Sequence, residues 1–231
     1  MSPNRIETNL KKVKERIERA ARRGGRNPRD IQLVAVSKTM SAETVRQAIE
    51  AGVTILGENY VQEARKKIEE IGHAVRWDFI GHLQSNKAKY VVDLFDIIQS
   101  VDRLSLAQEI NRLALKKGKT VKVLLQVNIS GEEAKSGIDP AEAAALARET
   151  LNLPKLSVQG LMTMPPYFDD PEEARPYFVA LRELRDNLRK EHGNYIDLKE
   201  LSMGMSADFE IAIEEGATII RVGTAIFGER T

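Results

Sequence analysis

Lys38 closes a short apolar run, Val34-Ala35-Val36-Ser37-Lys38. A lysine at the end of a buried strand carries its amine to the edge of an apolar core. Partial desolvation and neighbouring cations lower an amine's pKa and free it to attack a carbonyl carbon. A surface lysine at a turn is the plainer alternative. Toward the other end of the chain, Ser202-Met203-Gly204-Met205-Ser206 and Arg221-Val222-Gly223-Thr224 gather glycines, hydroxyls and an arginine. Glycine lets a backbone approach a ligand closely, and N–H groups with hydroxyls bind phosphate. The alternative is a helix-capping serine and two turn glycines. Asp208 lies beside this segment and must point away from a bound dianion or be solvated. Asn59, in Gly57-Glu58-Asn59-Tyr60, is either a helix cap or a site residue. His82, in Gly81-His82-Leu83-Gln84, is either structural or part of a site, and Lys135 sits in the loop 131–137.

Other chemistries drop out on composition. The chain of 231 residues has no cysteine, so disulfides, thiolate metal sites and a cysteine nucleophile are excluded. Its three histidines, His73, His82 and His192, are far apart in sequence, and no metal site is expected. No apolar run approaches the roughly 18 residues of a membrane span. The opening MSPNRIETNL lacks the apolar segment of a signal peptide, so a cytoplasmic location is expected. Net charge is +1, yet residues 1–30 hold ten Lys/Arg against four acids, leaving −5 on the remainder. Such a stretch could touch nucleic acid. Ile6, Leu10, Val13, Ile17 and Ala20 or Ala21, however, form one helical stripe, with the charges on the solvent side. No nucleic-acid partner is expected.

The elements that must position these residues alternate. Strands are predicted at 31–37, 54–58, 76–81, 96–101, 121–129, 156–164, 199–204 and 218–228. Each is a short apolar, β-branched run. Helices are predicted over 3–23, with Ser2 as cap and Pro3 in the first turn, and over 41–52, 59–71, 85–95, 103–118, 139–151, 170–193 and 205–216. Eight strand–helix units imply parallel strands and right-handed crossovers. The expected fold is α/β, a single (β/α)8 barrel domain over residues 1–231 with a leading N-terminal helix. An open doubly wound sheet is the rival, but SKTMSAE after the first strand lacks the glycine fingerprint of that fold. In a barrel, chemistry sits at the C-terminal ends of strands, and phosphate commonly lies between strands seven and eight. A nucleophilic lysine facing a phosphate site suits a sugar phosphate aldolase or pyridoxal phosphate.

AVSKT (35–39), GENYVQE (57–63), WDFIGHLQSNK (77–87), KSG (135–137) and LSMGMSADFEIAIEEGATIIRVGTAIFG (201–228) together resemble the pyridoxal phosphate homeostasis protein family. The last block is also similar to the end of the N-terminal barrel of alanine racemase, a fold type III enzyme. The resemblance implies that Lys38 holds pyridoxal 5'-phosphate as a Schiff base and Arg221 faces its ring nitrogen. It implies that Ser206, Gly223 and Thr224 bind the phosphate and that Asn59 lies near the ring. Lys135 matches a family lysine near the site, and Met203 and His82 are carried over as pocket lining. The implied function is intracellular vitamin B6 homeostasis without strong catalysis, with PLP-dependent apo-enzymes as recipients. A weak amino acid racemase is the alternative. The racemase takes a second base from a further domain across a dimer, and the chain ends at Thr231 without it. A monomer is therefore expected, and losing a positioned base costs about 10²–10⁴-fold in rate.

Overall fold

The computed structural model describes residues 5–132, 135–192 and 198–229, without the side chain of His192. The expected cap at Ser2 and Pro3 lies outside them. The strands are β1 (Gln32–Val36), β2 (Ile55–Glu58), β3 (Arg76–Phe79), β4 (Ile97–Val101), β5 (Val121–Gln126), β6 (Leu156–Met162), β7 (Glu200–Ser202) and β8 (Ile219–Val222). All pair in parallel and in sequence order, and β8 returns to β1 through Val34↔Arg221 and Ala35↔Val222. The barrel is therefore closed, and no strand edge is left to pair elsewhere.

The helices are α1 (Arg5–Arg23), α2 (Ala42–Glu50), α3 (Val61–Ile71), α4 (Ala88–Leu94), α5 (Leu104–Lys116), α6 (Pro140–Thr150), α7 (Arg175–His192), α8 (Phe209–Glu214) and α9 (Thr224–Phe227). Ser41 caps α2 by accepting from Thr44 N–H, and Asp139 caps α6 from Ala141 N–H, as their sequences predict. The stripe of α1, Ile6 to Ala21, is buried against α8 and α9. Part of its basic face is paired within the fold. Arg16 meets Glu210 at 2.9 Å and Arg23 meets Glu214 at 2.7 Å. Among the described residues, no helix is long and apolar enough to cross a membrane.

Several expected boundaries shift, the strand expected over 121–129 ending at Gln126 and the helix expected over 170–193 beginning at Arg175 after a 3-10 turn, and three changes bear on the site. Asn59 does not cap α3, because the cap position is Tyr60 and no side chain serves it. The helix expected over 205–216 begins only at Phe209, after a turn in which Met205 C=O accepts from Asp208 and Phe209. The strand expected over 218–228 stops at Val222. Past that point the chain has left the barrel rim and has no neighbour to pair with. Its N–H groups bond locally instead, Ile226 and Phe227 both donating to Gly223 C=O, which makes α9.

Side chains alternate across the sheet. Val34, Ile97, Leu124, Met162 and Ile219 fill the barrel interior, while Trp77, Phe79, Leu125 and Leu201 face the helices. Each such side chain, fully buried, contributes about 1.5–3 kcal/mol. Gly204, at φ +90°, turns the chain out of β7 with its Cα against α8. A Cβ there would lie 2.5 Å from Ala212 Cβ and 2.9 Å from Phe209 Cα. Gly204→Ala is expected to cost about 2–4 kcal/mol, from backbone strain and overpacking together. Its urea midpoint should fall accordingly, and an unchanged midpoint would contradict this packing.

Candidate functional site

The strand ends carry Lys38, Asn59, Arg221, Gly223 and Thr224 to one cavity of about 290 Å³ at the C-terminal mouth, and the turn after β7 adds Ser206. The loop after β6 closes one side with Met164, Tyr167 and Phe168.

Lys38 is half-buried, and both of its neighbours are held by a buried ionic cluster. Lys67, on the inward stripe of α3, donates to Ser37 C=O at 2.6 Å, Glu58 Oε1 at 2.7 Å and Glu63 Oε1 at 2.6 Å. Ser37 Oγ donates to Glu58 Oε1 at 2.7 Å, and Thr39 N–H donates to Glu63 Oε1 at 2.5 Å. Thr39 adopts φ +67°, a left-handed conformation rare for a β-branched residue. Burial pushes the Glu58 carboxyl up, and the charge and hydrogen bond of Lys67 oppose this.

Across the cavity, Ser206 Oγ accepts from Gly223 N–H at 3.2 Å and Ala225 N–H at 3.3 Å, which marks a point where amides converge. Ser206 is thus not the cap of α8. Arg221 is 3% exposed and donates to Ser202 Oγ at 2.6 Å and Thr163 C=O at 2.8 Å. Burial pushes its guanidinium down to about 10, with Asp208 opposing, so it stays protonated at neutral pH. Asp208 lines the cavity rather than pointing away, but its Oδ1 is engaged by Met205 N–H at 2.6 Å. Burial pushes its carboxyl up, an effect countered first by that N–H and then by Arg221. Asn59 Oδ1 is buried and has no hydrogen-bond partner among the described residues. Such an acceptor costs about 1–3 kcal/mol.

Three expected residues are not brought in. Met203 is fully buried in the outer core, because Ser202 faces the barrel interior and the next residue must face the helices. His82 is 51% exposed in a neighbouring depression, with Nδ1 3.2 Å from Ser136 Oγ and 3.6 Å from Asp102 Oδ2. Both neighbours address one nitrogen, so this trio is not a nucleophile–base–acid relay. Lys135 pairs with Glu132 at 3.0 Å and does not line the cavity. Among the described residues no group of three metal-ligating side chains exists. Sequence reasoning missed the rim of Met164, Tyr167 and Phe168, although aromatics after Pro165-Pro166 at a strand end were a usable signal.

These features define a parallel barrel with an amine, a buried guanidinium and a hydroxyl-bearing turn at its mouth. The profile "Alanine racemase, N-terminal domain" matches residues 4–231. Alanine racemase of Clostridium difficile 630 shares the fold, with a TM-score of 0.76 at 18% identity over 97% of this chain and 59% of the racemase. The pyridoxal phosphate homeostasis protein of Aquifex aeolicus is 48% identical over 96% of each chain. That of Escherichia coli K12 is 43% identical over 98% of this chain and 97% of its own. The structure titled as PipY of Synechococcus elongatus with PLP bound has 39% identity and a TM-score of 0.82, covering 92% of this chain and all of that one. The chain belongs to the pyridoxal phosphate homeostasis protein family.

Inside the barrel, burial pushes the Asp78 carboxyl from 3.8 up to about 6, although Arg76 and Gln99 hold it. The folded protein therefore binds a proton at Asp78 more tightly than the unfolded chain does. That contribution to stability is complete below the unfolded pKa of 3.8 and is lost as pH rises through about 6. In urea titrations, Asp78→Asn should lose ground to the parent by about 2–3 kcal/mol as pH falls from about 7 to about 4. A difference that stays flat over that window would contradict the burial argument.

Proposed function

We propose that the cavity binds pyridoxal 5'-phosphate and that the protein serves vitamin B6 homeostasis by holding the cofactor without strong catalysis. One observation carries this: the Lys38 amine, the buried Arg221 guanidinium, Asn59, the Ser206 hydroxyl and the Gly223-Thr224 turn line a single cavity. The residues fit the group. When bound, the cofactor supplies an aldehyde, which reacts reversibly with primary amines. Lys38 is the amine that holds it as a Schiff base. Ser206, Gly223 and Thr224 bind the phosphate through a hydroxyl and backbone N–H groups.

Asn59 lines the same cavity and would lie near the ring. Arg221 faces the ring nitrogen, and because a guanidinium donates and does not accept, that nitrogen stays unprotonated. A ring held this way withdraws electrons weakly, which disfavours carbanion chemistry. PLP-dependent apo-enzymes are the recipients this reading implies. Relatives named for pyridoxal phosphate homeostasis, and a neighbour with PLP bound, support it.

Incubation with pyridoxal phosphate, borohydride reduction and peptide mapping should place the adduct on Lys38. Lys38→Ala should abolish it, and Ser206→Ala should weaken uptake by about tenfold. An adduct confined to other lysines would sink the proposal. Loss of the α-deuterium from labelled amino acids should stay far below about 1 s⁻¹, and turnover at ordinary enzyme rates would favour the racemase reading.

A further inference from the structure

The hydrogen bonds of Arg221 do not stop at Ser202. Ser202 Oγ donates to Gln99 Oε1 at 2.6 Å, and Gln99 Nε2 donates to Asp78 Oδ2 at 2.7 Å. Asp78 is gripped by Arg76, through Nε to Oδ1 at 2.9 Å and Nη2 to Oδ2 at 3.0 Å. The path runs from β8 through β7 and across the interior to β4 and β3. Asp78, Gln99 and Ser202 are fully buried.

The direction of every link is fixed by the two ends. Arg221 can only donate, and an ionised Asp78 can only accept. Gln99 must therefore turn its amide nitrogen to Asp78 and its oxygen to Ser202. Ser202 then spends its one proton on Gln99 and has only lone pairs for Arg221. Reversing the Gln99 amide would set oxygen against carboxylate at one end. It would also leave the Ser202 proton without its acceptor at the other.

We propose that Asp78 and Gln99 are positioning residues for Arg221: through Ser202 they fix its guanidinium so that N–H donors meet the ring nitrogen. The proposal rests on the reading of the cavity as a pyridoxal phosphate site. Neither residue lines the cavity, so a substitution at either leaves every contacting group in place.

The test is ¹⁵N NMR of the arginine side chains in the full chain, with and without pyridoxal phosphate labelled at its ring nitrogen. Loss of a signal in Arg221→Lys assigns Arg221. Gln99→Met keeps the length of the side chain but not its hydrogen bonds, and Asp78→Asn keeps shape but not charge. Both should speed hydrogen exchange at Arg221 by about tenfold, the effect of one lost hydrogen bond. Amide exchange in β5 and β6 should stay unchanged, which separates positioning from general loosening. In the loaded protein both variants should move the ring-nitrogen shift toward the protonated value and speed cofactor release. Should Gln99→Met fail to fold, Asp78→Asn decides alone. Unchanged Arg221 exchange and an unchanged ring-nitrogen shift in a folded variant would overturn the proposal. If the parent takes up no cofactor while Arg221 exchange still responds, the cofactor reading fails and the positioning chain stands.

Discussion

The interior of a closed eight-stranded barrel admits side chains on one condition: each must be apolar or fully hydrogen-bonded. An unpartnered polar group there is costly, and the backbone within the strands is already paired around the closed sheet. Val34, Ile97, Leu124, Met162 and Ile219 meet the condition by filling space. Asp78, Gln99, Ser202 and Arg221 meet it by bonding to one another, to Arg76 and to Thr163 C=O. The interior thus divides into an apolar layer and a polar thread, and the thread ends on the guanidinium that lines the cavity. An isolated buried cation would be costly. Arg221 is tolerable because neutral acceptors contact it and Asp208 and Asp78 lie beyond them.

A second polar cluster lies at the β1–β2 side of the mouth, outside the barrel wall, and is held together largely by its own ion pairs. Lys67 is 4% exposed and gives its ammonium protons to Ser37 C=O, Glu58 and Glu63. These bonds anchor the residues before and after Lys38, and Glu63 holds Thr39 in its left-handed conformation. Such a conformation costs about 1–2 kcal/mol for a residue with a Cβ. The ionic cluster offsets that cost and leaves the lysine between two fixed points. The two halves of the cavity are therefore stiffened independently, by an ion cluster at β1–β2 and by a hydrogen-bonded thread at β7–β8.

The sequence revealed most where a period or an end was involved. Strand and helix alternate with different apolar spacings, so eight units and a barrel could be read directly. Lys38 was legible because it is the first charged residue after an apolar run, and Arg221 because it interrupts one. Contacts between distant residues were not legible. Ser206 reads as a cap, yet its oxygen serves amides of Gly223 and Ala225. Asn59 reads as a cap, yet its oxygen is buried and unanswered. Met203 was misplaced because its facing depends on where Ser202 points, which depends in turn on Gln99 in β4. Lys67 reads as a solvent-facing helix charge. Only its place on the stripe of Val61, Ala64 and Ile68 marks it as inward, and its acidic partners come from β2 and an earlier turn of α3.

A site built this way separates its attachments. The amine comes from β1, the amides and hydroxyls from beyond β7 and β8, and the guanidinium from within β8. Simultaneous engagement multiplies their effect, since the second and third contacts form at high effective concentration once the first is made. Each is also individually reversible, so loosening one does not require loosening the rest. Tyr167 is 78% exposed and Met164 37% exposed on the loop after β6 that closes one side of the mouth. This rim is open to solvent. The floor and edges of the cavity and its rim are thus built from different elements.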